Sequence, residues 1–335
     1  MKKGNKKTST RVISTILALV IIAFTVGLGS AGIDWSQLSE RPIDEILVDR
    51  AEEILRGDET DETVPKIENE QLESIPIVPG ENLTVYVFDV GQADCILLEC
   101  GGEYMIIDAG NNPDGKLVVK QLQSMGITEI KYAVGTHTHE DHIGGLDKVI
   151  NAFDIGVLYM PANEYDSATY RDVVKAAEAK SIDKIAPEIG YVFYLGSAKC
   201  EVMAIDSENE DPNLTSIVIE VTFGNTKFLF TGDAEIENEE KRLWNDIDVL
   251  KVGHHGSSTS TGEDFMEQVK PEIALISVGE DNSYGHPHKE TMELLEEYQL
   301  DIYRTDIQGT IVVTSDGVKC VVETFESIDL EGNSK

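Results

Sequence analysis

The sequence predicts a layered α/β sandwich, with sheets inside and helices outside. Three observations predict it. From about residue 82 onward, short apolar runs of strand length alternate with stretches of helical periodicity. Strand-like runs end in residues that can ligate a metal: Asp108, His137, Asp233 and His254 follow such runs, and His286 lies in the loop after another. All seven histidines fall into three clusters: His137, His139 and His142; His254 and His255; His286 and His288. Surface or core histidines would scatter. Pattern alone does not set the number of layers.

The predicted elements run in this order. Leu83 to Val90 carries apolar residues on both parities, the mark of a strand buried between layers. A turn over Gly91-Gln92-Ala93-Asp94 leads to strands at Cys95 to Glu99 and Tyr104 to Asp108. Lys116 to Met125 reads as a helix, and Ile130 to Val134 as a strand that delivers His137 into a loop. Gly144-Gly145 is expected to let the backbone turn tightly into a helix at Leu146 to Phe153. Then follow a strand (Val157 to Met160), a helix (Ala168 to Lys180) and strands at Tyr191 to Leu195 and Cys200 to Ile205. Asn213 to Phe223 and Lys227 to Phe230 form a predicted hairpin across Gly224-Asn225. Helices at Glu237 to Trp244, Glu263 to Val269 and Glu290 to Tyr298 alternate with strands at Val249 to Val252 and Ile273 to Val278. Gly309 to Thr314 and Val318 to Thr324 are the last strands, joined across Asp316-Gly317.

Ahead of this domain the composition changes twice. Lys2, Lys3, Lys6, Lys7 and Arg11 precede a charge-free apolar run, Val12 to Leu28, with small residues at Gly29-Ser30-Ala31. That is the layout of a secretory signal peptide over residues 1–31, and equally of a short membrane anchor through residues 12–28. The expectation is export, either secreted or anchored facing outside. Residues 32–81 read as an acidic amphipathic helix and a solvated linker, residues 82–326 as the folded domain and residues 327–335 as a tail.

The formal net charge of the chain is −35. Tight nucleic-acid binding is not expected from it, because phosphate contacts come from Lys and Arg. Metals would make a site locally positive, so a phosphodiester remains open. Cys95, Cys100, Cys200 and Cys320 contain no CxxC pair, which argues against a thiolate zinc knuckle and for buried free thiols. Cys95 and Cys100 fall on opposite faces of an extended strand.

The densest chemistry lies between Thr136 and Gly145, where three imidazoles and two carboxylates occupy six positions. Imidazole nitrogen and carboxylate oxygen are ligands of divalent metals. Burying that many polar groups without a partner would be costly. The set His137-x-His139-x-Asp141-His142, with Asp108 in Ile107-Asp108-Ala109-Gly110 and Asp233 in Phe230-Thr231-Gly232-Asp233, resembles the metallo-β-lactamase superfamily. Asp89-Val90-Gly91-Gln92, Leu250-Lys251-Val252-Gly253-His254-His255-Gly256-Ser257, Tyr284-Gly285-His286-Pro287 and Thr305-Asp306-x-x-Gly309-Thr310-Ile311 are similar to the hydrolase domain of ComEC-type competence proteins. The resemblance spans about residues 83–324 and covers the hydrolase part of such channels, not their transmembrane helices.

The resemblance implies a four-layer αββα sandwich with a two-metal site at one edge. The histidine of the family's third motif is missing: the corresponding stretch reads Asp211-Pro212-Asn213-Leu214-Thr215-Ser216, and ComEC-like members share the lack. His254 or His255 is expected to supply that imidazole. The resulting assignment puts His137, His139 and His254 on one metal, and Asp141, His142 and His286 on the other, with Asp233 bridging. Asp141 would also orient the nucleophile, and His255 would protonate a leaving group or contact phosphate. Asp108 is expected to hold a ligand histidine or its loop, and Ser257 and Ser258 to cap the next helix. His288 is expected to be a surface residue at a helix start. The metals would be zinc or manganese.

The expected activity is therefore that of an exported two-metal hydrolase of phosphodiesters, DNA or a related polymer. The alternative substrate is a small or cell-wall phosphoester such as phosphocholine. A β-lactam hydrolase and a metal-binding module without catalysis complete the field.

Overall fold

A computed structural model describes residues 78–207 and 209–326. The predicted leader, acidic helix and tail, and the linker up to residue 77, lie outside the described residues. Two sheets stack face to face. The first has eight strands in the order β15-β14-β1-β2-β3-β4-β5-β6. Its strands are β1 (Leu83–Val87), β2 (Ile96–Cys100), β3 (Glu103–Ile107), β4 (Glu129–Val134), β5 (Asp154–Tyr159), β6 (Asp183–Ile185), β14 (Thr310–Ser315) and β15 (Cys320–Phe325). The second has seven, ordered β13-β12-β11-β10-β9-β8-β7. These are β7 (Val192–Leu195), β8 (Ala198–Ala204), β9 (Val218–Phe223), β10 (Thr226–Phe230), β11 (Val249–Lys251), β12 (Ile273–Ile276) and β13 (Asp301–Arg304).

Each sheet is half antiparallel hairpins and half parallel. β3 to β6 run parallel, with Ile107 opposite Val134, and so do β10 to β13, with Phe230 opposite Lys251. Parallel neighbours need crossovers, and helices supply them. On the first sheet these are α1 (Gly115–Ser124), α2 (Glu140–Ile143), α3 (Leu146–Ala152) and α4 (Ala168–Ala179). On the second they are α5 (Ile236–Glu239), α6 (Glu263–Val269) and α7 (Lys289–Glu297); the short α8 (Thr305–Gln308) precedes β14.

Three apolar layers result, which makes four structural layers. The central one packs Val85, Val87, Leu98, Met105 and Ile107 against Val202, Ile219, Val221, Phe228, Phe230 and Leu275. Outside the first sheet, Leu97, Ile106, Ala133 and Leu158 meet Val118 and Leu122 of α1, Leu146 and Ile150 of α3, and Tyr170 and Val173 of α4. Outside the second, Leu229, Leu250 and Ala274 meet Phe265, Met266, Val269 and Leu295. Full burial of each such side chain contributes roughly 1.5–3 kcal/mol. The predicted sandwich is therefore a four-layer αββα arrangement.

Several boundaries differ from the sequence reading. β1 stops at Val87, not Val90: the Asp89 amide leaves the ladder to donate to Thr310 Oγ1 at 3.2 Å. Asn213–Thr215 is a helical turn, and the strand of that hairpin starts only at Val218. α5 ends at Glu239 instead of Trp244, whose indole N–H caps the Glu239 carbonyl at 2.9 Å. β6 and β13 are short, polar edge strands without an apolar run to announce them.

The cysteines are free; Cys95, Cys100 and Cys200 are buried and Cys320 is half-buried. Cys95 belongs to the outer core and Cys100 to the central one, the opposite faces expected. Burial pushes the Cys100 and Cys320 thiols up to about 12, which keeps them protonated and inert.

Candidate metal centre

The site forms at one edge of the sandwich, beyond the carboxyl ends of the parallel strands. β3 delivers Asp108, β4 delivers His137 to His142, β10 delivers Asp233 and β11 delivers His254 and His255. Three of these residues hold left-handed backbone that glycine would adopt more readily: Asp108 (φ 59°), His254 (φ 48°) and His255 (φ 54°). Such strain persists only where surrounding contacts enforce it, and it gathers at functional sites.

Two loops are zipped together to form the floor. The Ala109 amide donates to the His142 carbonyl at 2.7 Å, and the Gly145 amide to the Gly110 carbonyl at 3.1 Å. Gly144 and Gly145 were expected to ease a tight turn, but their backbone is ordinary helix, at φ −60° and −87°. They are glycines because of close approach. A Cβ on Gly145 would meet Ala109 O at 2.1 Å, and one on Gly144 would meet Asn112 N at 2.3 Å.

Asp108 sits buried beneath the histidines. Its carboxylate accepts from the Thr136 amide at 2.8 Å and hydroxyl at 2.7 Å, and pairs with His142 Nδ1 at 2.8 Å. That fixes His142 with Nε2 facing Asp233 Oδ1 at 3.1 Å. His137 Nε2 lies 3.8 Å from Asp233 Oδ2 and 3.1 Å from His139 Nδ1. His254 Nε2 lies 3.5 Å from Asp233 Oδ2. His255 Nε2 faces Asp141 Oδ2 at 3.5 Å and Asp233 Oδ1 at 3.8 Å, while its Nδ1 donates to the Ser277 carbonyl at 2.9 Å. Asp233 thus stands centrally, with four histidines around its two oxygens. Ser216 Oγ accepts from the Asp233 amide at 3.1 Å and reaches His137 Nδ1 at 3.4 Å, tying the two together.

Burial and charge oppose each other here. Burial would raise the Asp233 carboxyl, but His142 and His255 outweigh it and hold it well below the usual range. Burial likewise opposes charging His142 and His255, yet Asp233 and its neighbours win; His142 is raised well above its ordinary value and His255 to about 9. His137 is pushed well down by burial, with His142 adding to the effect. The Asp108 carboxyl is raised by burial, against the pull of His142. The buried carboxylates draw positive charge into the pocket, and a metal cation would replace the protons they hold on His142 and His255.

The donor set fits one. His142 Nε2, Asp233 Oδ1 and His255 Nε2 are buried and have no aligned hydrogen-bond partner. Unpaired buried polar atoms are expensive, and coordination would satisfy all three. Among the described residues four overlapping groups present ligand atoms close together, including His137, His142 and Asp233, and Asp141, His142 and His255; His139 and His254 fall in none of them.

Three expected residues, His286, Ser257 and Ser258, lie away from the places assigned to them. His286 lies one ring further out, its centroid 5.6 Å from that of His254 and 6.4 Å from that of His255. Its Nδ1 meets Gln92 Nε2 at 3.4 Å, and Asn282 brackets its backbone on both sides. His255, which the sequence left open as ligand or acid, is 1% exposed and faces Asp141 among the candidate ligands. Ser257 and Ser258 do not cap α6, whose N-cap is Gly262 without a side-chain hydrogen bond; Glu239 accepts from the Thr261 and Gly262 amides just ahead of the helix at 2.7 and 2.8 Å. His288 sits at the start of α7 but is half-buried, its Nδ1 accepting from the Ser258 amide.

Sequence reasoning passed over Asp94 and Lys251. They form an ion pair of 2.9 Å beneath His255, whose Nδ1 is 3.4 Å from Asp94 Oδ1. Burial would raise the Asp94 carboxyl, but Lys251 and His255 hold it far below the carboxylate range. The available signal was a lysine at the end of an apolar strand, a position where a cation needs a buried partner.

A sequence model of the Metallo-beta-lactamase superfamily matches residues 88–280. ComE operon protein 3 of Bacillus subtilis is 32% identical over 203 residues, covering 58% of this chain and 26% of that protein. Recombination protein 2 of Haemophilus influenzae is 32% identical over 236 residues, 68% of this chain and 28% of that one. The chain thus spans little more than a quarter of the length of these relatives. Among solved structures, the metallo-beta-lactamase fold protein YhfI from Bacillus subtilis aligns with a TM-score of 0.48 at 13% identity, over 70% of this chain and 100% of that one. The competence and recombination relatives place the resemblance in the ComEC-like group. With Asp108, His137 to His142, Asp233 and His254-His255 all inside the matched region, the chain belongs to the metallo-beta-lactamase superfamily.

Proposed function

We propose that the chain is a two-metal hydrolase of phosphodiesters, DNA or a related polymer. The observation that carries the reading is the convergence of unpaired His142 Nε2, Asp233 Oδ1 and His255 Nε2 on one buried point. His137, His139 and His254 would hold one ion, and Asp141, His142 and His255 the other, with Asp233 shared. Imidazole and carboxylate without thiolate suit zinc or manganese. When bound, two such ions polarise a phosphoryl oxygen and bring the pKa of water toward neutrality.

The chain's own residues do the positioning. Asp108 orients His142 through Nδ1, and the Ser277 carbonyl orients His255 in the same way. Asp141, with its carboxyl held down to about 2 against burial by His255 and His142, stays ionised. His286, lowered to about 4 by burial and by His255 and His254, is neutral and faces the outer edge of the site. The names of the competence and recombination relatives support a DNA-related substrate. The missing third-motif histidine weighs against β-lactams.

A second reading is a small or cell-wall phosphoester such as phosphocholine. The charge of −35 favours it, since a polyanion is repelled at long range. The apolar run at residues 12–28 supports export for either substrate.

The test is metal analysis followed by turnover assays with manganese or zinc on linear DNA, bis-p-nitrophenyl phosphate, p-nitrophenyl phosphorylcholine and a chromogenic lactam. The expected result is two metals per chain and turnover of the diesters. Two bound metals without turnover of any phosphodiester would sink the reading and leave a metal-binding module.

A further inference from the structure

Two exposed tyrosines flank the candidate metal centre, one from each sheet. Tyr284, in the loop after β12, is 65% exposed, and its ring stacks on His286 at 5.6 Å and 22°. Tyr165, in the loop after β5, is 38% exposed and meets the His139 ring edge-on at 6.3 Å and 85°. Each ring thus touches a histidine that borders the ligand set. His286 leads inward to His254, and His139 to His137 with centroids 4.9 Å apart.

The Tyr284 platform is held in place. Asn282 Oδ1 accepts from the His286 amide at 3.0 Å, Asn282 Nδ2 donates to the His286 carbonyl at 2.6 Å, and Gln92 contacts the His286 ring. A large ring left in water above a pinned support has a face to offer. The polymer backbone has less to hold. Lys251, the lysine that touches this site, is fully buried and paired with Asp94, and the chain carries 62 acids against 27 bases. With Lys251 paired, recognition of a strand beyond what the metals hold must draw on the bases themselves.

We infer that Tyr284 and Tyr165 select the substrate by stacking on bases of a single strand that flank the phosphodiester under attack. This rests on the phosphodiesterase reading above. Duplex DNA hides the base faces and is the poorer substrate. Two rings on separate sheets act independently, so each contributes recognition on its own side of the site. Base recognition of this kind tolerates sequence.

The test compares a twelve-nucleotide single strand with an abasic strand of equal length. Turnover is followed with manganese or zinc on the full chain in mild detergent, and equilibrium binding by fluorescence anisotropy in EDTA. Tyr284→Ala is expected to raise KM for the base-bearing strand roughly tenfold. Its kcat and its rates on the abasic strand should hold, and Tyr284→Phe should restore KM. Tyr165→Ala should act likewise, and the double variant more strongly. Equal KM for both strands, with good turnover, overturns the inference and spares the phosphodiesterase reading. No turnover with base-dependent binding overturns that reading and the hydrolytic inference with it, while leaving the stacking contact visible. Neither turnover nor base-dependent binding overturns both.

Discussion

Lys251 Nζ lies 2.9 Å from Asp94 Oδ2, in a fully buried ion pair that joins the second sheet to the floor beneath His255. Removing one partner strands the other charge without solvent. Lys251→Met should therefore cost about 3–5 kcal/mol of stability. Adding Asp94→Leu should recover much of that loss, because the orphaned carboxylate goes too. Urea unfolding of the two single variants and the double variant closes the cycle; strictly additive losses would contradict the pairing.

Asp108 touches His142 and Thr136 and stands behind the ligand set. Asp108→Asn keeps the shape but removes the charge that orients the imidazole. Metal affinity should fall about 10–100-fold, with the fold intact. Competition with a chelating dye measures it, and circular dichroism checks the fold. Unchanged affinity would leave Asp108 a purely structural residue.

His255 lies inside a candidate ligand group and His286 outside all of them. His255→Ala should lose the second metal, because its Nε2 faces Asp141 and Asp233. His286→Ala should keep both metals and instead weaken substrate binding, since its ring lies outside the ligand groups. Metal content by mass spectrometry decides between them, and the reverse pattern would make His286 the ligand and His255 the acid.

Gly145 has helical backbone but no room for a side chain, because a Cβ there would stand 2.1 Å from Ala109 O. Gly145→Ala would be neutral or stabilising in an open helix. Here it should cost more than about 2 kcal/mol by forcing the two metal loops apart. A thermal melt of the variant reads this directly, and an unchanged midpoint would refute close approach as the reason for the glycine.

Glu239 carries a buried carboxyl that burial raises to about 7, despite the Gly262 and Thr261 amides that lower it. Its folded value lies above the unfolded one, so the folded protein holds a proton that the unfolded chain has lost. This contribution is fully present below about pH 4.5 and disappears as pH rises through about 7. The shift corresponds to about 3 kcal/mol. Glu239→Gln, which cannot ionise, should gain on wild type by that order between pH 5 and pH 8 in urea unfolding. A constant difference across that range would show that the carboxyl titrates normally.

Much of the site was legible because its ligands are local in sequence. His137, His139, Asp141 and His142 sit within six positions, and a strand end is the one place where such a cluster is tolerated. Asp233 and the His254-His255 pair could be read for the same reason, each following an apolar run. The roles of His255 and His286 could not. Left-handed backbone at His254 and His255 turns the two rings in different directions, and nothing in the residue order signals that. The pairing of Asp94 with Lys251 was equally silent, because 157 positions separate them and neither has a periodic partner.

The sequence by itself determined the layered α/β class, most of its strands and the clustering of four candidate ligands in six positions. These depend on hydrophobic period and ligand spacing, which are properties of short segments. Only the tertiary structure decided which imidazoles face Asp233, why Gly144 and Gly145 are glycines, and which tyrosines border the site. Those depend on distances between loops far apart in sequence, and such distances exist only once the core has closed.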